Sequence, residues 1–304
     1  MVRAFTEDDL ATAAALLAER HRRHLAAEPL LPAEVDFRAE VEALWRTDGA
    51  TGATAVGGYV LGFTRPEKVW GPNVWIETAG HAADDPELLR DVYTAAAAGW
   101  VEQGLKAHQV LVPATDEQLI DAWFRLGFGA QQAHGITEIP DTPMPAGVRE
   151  AGPEDVDALV ALAPFLNLHQ QLAPVFGPTT PRTEAEVRSD IAEDLERDDI
   201  GNLVAERDGR IVGNFVVCPV ELTSMHAGLA RPPGAAYLAF AVIHPDARGS
   251  GAGVALTDAC FAWARERGYR TMVTDWRVTN LLSSRFWPKR GFRTSFLRLH
   301  RLIA

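Results

Sequence analysis

The sequence predicts an α/β protein built from two copies of one unit. Three observations carry that reading. Residues 2–16 (VRAFTEDDLATAAAL) and 148–162 (VREAGPEDVDALVAL) share one pattern: a short strand, an acidic turn and an amphipathic helix. A Gly-Phe pair, 127–128 and 291–292, closes each half, with Trp123 and Trp287 four residues before the glycine. Between these landmarks, strand-like and helix-like runs alternate in the same order in both halves.

In the first half, strands are expected at 52–64, 73–78 and 107–112, and helices at 86–103 and 116–126. In the second, a loop-rich stretch at 174–182 leads into a helical 183–197. Strands follow at 202–206, 211–219 and 235–243, then a helix at 250–267. A strand at 271–275, a helix at 282–290 and a strand at 293–302 complete the chain. Pro140, Pro143 and Pro145 with Gly147 stop both helix and ladder, so 141–147 is expected to link a domain at 1–140 to one at 148–304.

Composition narrows the function. A hydrophobic fraction of 47% and a charged fraction of 23% suit a globular chain and argue against wholesale disorder. No run approaches the ~20 apolar residues of a membrane helix. The acids of the opening MVRAFTEDDL argue against a signal peptide. The formal net charge of -12 disfavours nucleic acid and suits a cationic substrate. Two cysteines, Cys218 and Cys260, make no disulfide framework and sit in apolar runs, so a reduced, cytoplasmic protein is expected.

The segment that carries chemistry is 237–268, YLAFAVIHPDARGSGAGVALTDACFAWARERG. A strand runs through Ala241, Val242 and Ile243 to Pro245. Arg248, Gly249, Ser250, Gly251, Ala252 and Gly253 then lead straight into a helix. Glycines at a helix N-terminus offer unpaired amides and the positive dipole end, so this turn is a candidate phosphate cradle. It lacks the Gly-Lys-Ser/Thr of a nucleotide-triphosphate loop, and its spacing is not G-x-G-x-x-G. No metal-ligand cluster stands out.

The remaining pattern, R-x-x-G-x-G on Arg248, Gly251 and Gly253, resembles the acetyl-CoA loop of the GNAT superfamily of N-acetyltransferases. Asn280, Ser283, Phe286, Trp287, Gly291 and Phe292 match that family's second segment in order and spacing. The resemblance is specific over 237–292 and architectural over 1–140. It implies tandem GNAT-like domains, each a twisted mixed sheet flanked by helices, with the fourth and fifth strands splayed to admit acetyl-CoA. Ala241, Val242 and Ile243 would then offer main-chain groups to the pantetheine arm, and residues 248–253 would hold the pyrophosphate. Asn280, Ser283, Phe286 and Trp287 would line the same channel. The implied activity is acetyl transfer to a primary amine of a small molecule by direct attack, in a monomer or homodimer. A non-catalytic acyl-CoA-binding protein and a protein-amine acetyltransferase are the alternatives.

Two features depart from the pattern. Many members carry tyrosine where this chain has Trp287, and an indole N–H is no proton donor for a leaving thiolate. Ser283 or Ser284, acting through a water, is a substitute, and departure of the thiolate without enzymatic protonation is the alternative. The strand at 237–243 also lacks a carboxylate, which leaves Asp275 and Glu221 as the nearest base candidates, with His244 and deprotonation through water as alternatives. In the first copy, Asp84, Asp85 and Glu87 occupy the corresponding turn, where carboxylates repel a pyrophosphate. That copy is expected to be degenerate, with Trp70, Trp75 and Trp100 in its core.

Overall fold

A computed structural model describes residues 1–65, 71–178 and 180–304, so Trp70 lies outside the described residues. The chain forms two compact units. The first comprises Met1–His134, His226–Pro233 and Thr294–Ala304, and the second Gly135–Met225 and Gly234–Arg293.

In the first unit, β1 (Arg3–Ala4) leads to helices α1 (Leu10–Ala27) and α2 (Phe37–Trp45). The expected strand at 52–64 is a hairpin, β2 (Thr51–Ala55) and β3 (Gly58–Gly62), turned at Gly57 with φ +86°. Strands β4 (Asn73–Ile76) and β5 (His81–Ala83) follow, then α3 (Pro86–Glu102), β6 (Ala107–Pro113), α4 (Glu117–Arg125) and β7 (Gly129–Glu138). The antiparallel set runs β1-β2-β3-β5, and β4 pairs in parallel with β6. Trp100, Tyr93 and Trp123 pack one face of this sheet with Val110, Val112 and Leu299.

In the second unit, β8 (Val148–Glu150) is followed by three helices, α5 (Val156–Leu162), α6 (Pro164–Gln171) and α7 (Glu184–Leu195). Strands β9 (Gly201–Arg207), β10 (Arg210–Pro219) and β11 (Ala236–Ile243) come next, then α8 (Ala252–Glu266), β12 (Thr271–Arg277) and the short α9 (Ser283–Phe286). The strands order as β8-β9-β10-β11-β12, antiparallel until β11 meets β12 in parallel. The final strand, β13 (Arg293–Leu302), returns to the first unit from Thr294 onward and pairs antiparallel with β6 there, from Phe296↔Pro113 to Leu302↔Ala107.

The sequence repeat has a structural counterpart. Arg3 holds Asp9 through both guanidinium branches at 2.7 and 2.5 Å, and Arg149 holds Asp155 at 2.6 and 2.9 Å. Each aspartate also accepts a main-chain amide three residues before it, from Thr6 and Gly152 respectively. One ion pair therefore fixes the strand-to-helix turn that opens each copy.

Candidate functional site

Strands β11 and β12 are paired only at Ala236↔Met272, Tyr237↔Val273 and Leu238↔Thr274. Thr274 Oγ1 caps the last pair with a 2.9 Å bond to the Leu238 carbonyl. Beyond it β11 stays on β10 as far as Ile243 and leaves β12, opening a wedge. Ala239 is a bulge, because Val216 and Val217 face Phe240 and Leu238. A bulged residue turns main-chain groups out of the ladder, and exposed Ala239 does so at the vertex of the wedge.

The chain leaves β11 through a turn at Pro245–Ala247 and reaches α8 by way of Gly249 at φ +80° and Gly251 at φ +92°. A Cβ on either glycine would meet nothing within 4 Å, so this side of the turn is open. The first main-chain bond of α8 runs from the Ala255 N–H to the Gly251 carbonyl, leaving the amides of Gly253 and Val254 ahead of the helical ladder. No acid stands in the first turn of α8. The arrangement fits a diphosphate: open glycines, forward amides and an uncompensated helix N-terminus. A Cβ on Gly253 would lie 3.5 Å from the Phe286 ring and 3.8 Å from Ile243. The end of the wedge strand, the glycine turn and α9 thus converge.

The other predicted site residues are placed as follows. Asn280 is buried, and its Oδ1 accepts the amides of Leu282 (3.1 Å) and Ser283 (3.4 Å), so it caps α9. Ser283 Oγ donates to the Asn280 carbonyl at 3.4 Å. Trp287 is buried among Phe215, Phe286 and Phe292, with ring centroids 6.0, 4.9 and 5.5 Å away. Asp275 accepts a 2.7 Å bond from the Tyr237 phenol, next to the vertex. Burial and that carboxylate push the Tyr237 hydroxyl far above the ordinary phenol range. His244 Nδ1 accepts the Asp246 amide at 3.3 Å.

Sequence reasoning missed Tyr237 and His169. Tyr237 opens the segment already singled out, and only its register against β12 gives it a role. His169 had no local signal. It sits on α6, an element without a predicted counterpart, and its Nε2 lies 3.2 Å from Asn280 Oδ1.

The first unit contains a matching wedge, filled by its own side chains. Strands β4 and β6 pair from Asn73↔Ala107 to Ile76↔Val110, and the chain then turns away to β5 on β3. Arg20, buried on α1, donates to the carbonyls of His81 and Thr78 inside the gap, and the His81 ring bonds the Leu111 carbonyl at 3.0 Å. Burial lowers the Arg20 guanidinium to about 10, which leaves it charged at neutral pH. The helix beyond, α3, is capped by Asp85 and carries Glu87 in its first turn. Trp75 and Trp100 are both buried in the core, as expected, and Trp75 also lies between the Arg65 and Arg298 guanidinium groups at 4.5 and 4.4 Å. Glu77 bonds Arg65 at 2.9 Å, and His81 is wholly buried.

The class of the second unit follows from this geometry and from comparison. Residues 165–292 match the model of the acetyltransferase (GNAT) family, so the chain carries a GNAT acetyltransferase domain there. A mycothiol acetyltransferase from Cellulomonas flavigena is 33% identical over 100 residues, which are 31% of this chain and 27% of that protein. Two solved structures share the fold over nearly the whole chain. A GCN5-related N-acetyltransferase from Sphaerobacter thermophilus has a TM-score of 0.61 at 15% identity, covering 99% of this chain and 95% of that one. A tandem GNAT protein from the clavulanic acid biosynthesis pathway has a TM-score of 0.51 at 14% identity, covering 99% and 98%. No described helix is long and apolar enough to cross a membrane.

Proposed function

We propose that the second copy, 148–304, transfers the acetyl group of acetyl-CoA to a primary amine of a small molecule in the cytoplasm. The convergence of Ile243, Gly253 and Phe286 at one end of an open wedge carries this reading. Residues 248–253 hold the diphosphate. Main-chain groups of 241–243 bond the pantetheine arm as an added strand would. The turned-out main chain at Ala239 polarises the acetyl carbonyl where negative charge develops. Phe286 lines the arm, with buried Trp287 packed behind it. Ser283 and Asn280 set the channel wall. Asp275, steadied by Tyr237, places a negative charge beside the vertex that draws an ammonium group. The first copy, 1–140, is a supporting domain joined through 141–147, because Arg20 and His81 occupy its wedge.

Calorimetric titration with acetyl-CoA tests this directly. The expected result is one site per chain, together with CoA thiol release in the presence of ethanolamine or glucosamine. Asp275→Asn should raise KM for the amine more than it lowers kcat. Absence of binding would sink the reading. Binding without turnover of any amine would favour an acyl-CoA-binding protein, a reading that the burial of Trp287, where a phenol would serve as acid, supports.

A further inference from the structure

The first copy keeps a crevice at the strand ends that, in the second copy, lead into the glycine turn and α9. A cavity of about 480 Å³ opens between the last turns of α1 and the two turns that carry β5 into α3 and β6 into α4. That size suits a small molecule, and the carboxyl ends of strands are where α/β sheets place their ligands. Its charge is the reverse of a phosphate cradle. Asp84, Asp116 and Glu117 all line it. Asp84 and Glu117 are exposed, and neither side chain has a hydrogen bond or ion pair among the described residues. Arg23, which also lines it, is held by Glu19 at 3.3 Å and comes no nearer to Asp116 than 4.0 Å.

Arg20 and His24, one turn apart on α1, form the closed side of the cavity, and each is only 3% exposed. Arg20 gives Nη1 and Nη2 to the carbonyls of His81 and Thr78, and its Nε has no partner. His24 Nε2 has none either. Burial and the Arg20 charge hold the His24 imidazole down at about 3, so it is neutral at pH 7. The closed side therefore pairs a donor, Arg20 Nε–H, with a neutral ring nitrogen that donates or accepts according to its tautomer. A hydroxyl complements both, since its oxygen accepts and its hydrogen donates. A carboxylate would suit Arg20 but would face three like charges across the cavity.

We propose that this crevice is a second binding site, for a small hydroxylated amine of amino-sugar size. A hydroxyl meets Arg20 and His24, and the ammonium lies among Asp84, Asp116 and Glu117. The site belongs to the first unit alone and goes beyond the acetyl-transfer reading. The two copies then use the same strand ends for opposite charges, a diphosphate in one and an ammonium in the other.

Calorimetry in phosphate buffer at about pH 6.5 tests this with three probes. Glucosamine carries both groups, glucose lacks the ammonium, and cyclohexylamine lacks the hydroxyls. Glucosamine should bind at least about tenfold more tightly than either, the scale of one hydrogen bond to a charged group. Asp84→Asn combined with Glu117→Gln leaves intact the cap that Asp116 gives α4 through the Leu119 amide. That double variant should weaken glucosamine at least about tenfold and leave acetyl-CoA affinity unchanged. His24→Leu should weaken glucosamine by about the same factor and leave cyclohexylamine unaffected. Should it fail to fold, the double variant decides alone. Asp275→Asn, which alters the second copy, should leave this binding in place. Equal affinity for the three probes, or no glucosamine binding, would overturn the assignment. So would glucosamine binding that survives the double variant or is lost in Asp275→Asn, and so would a second acetyl-CoA site per chain.

Discussion

Arg20 donates its Nη1 hydrogen to the main-chain carbonyl of His81, inside the gap where β4 and β6 part. Its Nη2 satisfies Thr78 in the same way at 2.5 Å. One side chain thus serves two carbonyls that neighbouring strands would otherwise take. Arg20→Leu should leave both unpaired and destabilise the protein by about 2–5 kcal/mol. Arg20→Lys should recover little of that loss, because a point-charge ammonium lacks the planar fork. Urea unfolding followed by tryptophan fluorescence reads the difference, and a midpoint unmoved in Arg20→Leu would refute the account.

Gly251 should separate binding from folding. At φ +92° with empty space about its Cβ, Gly251→Ala should cost only left-handed strain, about 1–2 kcal/mol. The methyl would stand on the face where a diphosphate approaches the amides. Acetyl-CoA affinity measured by calorimetry should therefore fall at least tenfold, with only a modest drop in melting temperature.

The paired arginines give an acid-stability prediction. Arg3 and Arg149 hold the carboxyls of Asp9 and Asp155 below the usual carboxylate range. A depressed folded-state value stabilises above the unfolded one, about 3.9, and the contribution disappears as pH falls through the folded value. Wild type should thus lose stability below about pH 4. The Asp155→Asn variant should be less stable at pH 7 and less sensitive to acid. Denaturation midpoints between pH 7 and 2.5 check both signs.

Restoring a phenol at position 287 should not help catalysis. Trp287 is enclosed by three phenylalanine rings. In Trp287→Tyr a smaller ring would leave a void and bury a hydroxyl without a partner, costing about 1–3 kcal/mol. We expect a lower melting temperature and no gain in kcat. A rise in kcat would show that the phenol reaches the thiolate.

Both cysteines are free and buried, and burial pushes Cys218 up to about 12 and Cys260 higher still. Thiolate is the reactive form. Native protein should therefore give almost no colour with a disulfide thiol reagent, and two thiols per chain after unfolding in guanidinium. Rapid native labelling would contradict this burial.

What the sequence made legible was local. The glycine turn, the helix behind it and the final strand at 293–302 follow from side-chain period and glycine spacing, and observed α8 and β13 lie within two residues of expectation. The hairpin in 52–64 was hidden because its turn is only two residues, Val56 and Gly57, and Val56 is itself a β-former, so the run reads as one strand. The Tyr237–Asp275 pair depends on which residues of two strands come into register, and no local pattern encodes that. The His169–Asn280 bond joins residues 111 apart in sequence, and the Arg20–His81 bond residues 61 apart. Such contacts are fixed by tertiary packing, and the repeat gave no hint of them.

The position of β13 bears on how the protein is made. A ribosome delivers the chain from its N-terminus, and domains ordinarily close as they emerge. Here β6 waits for residues 296–302 to supply its antiparallel neighbour, so the first unit to be synthesised is among the last to be completed. During that interval the nascent chain presents an uncovered ladder edge, the kind of surface that chaperones shield and neighbouring polysomes can invade. Anything that truncates the last strand should therefore be felt first in the N-terminal half.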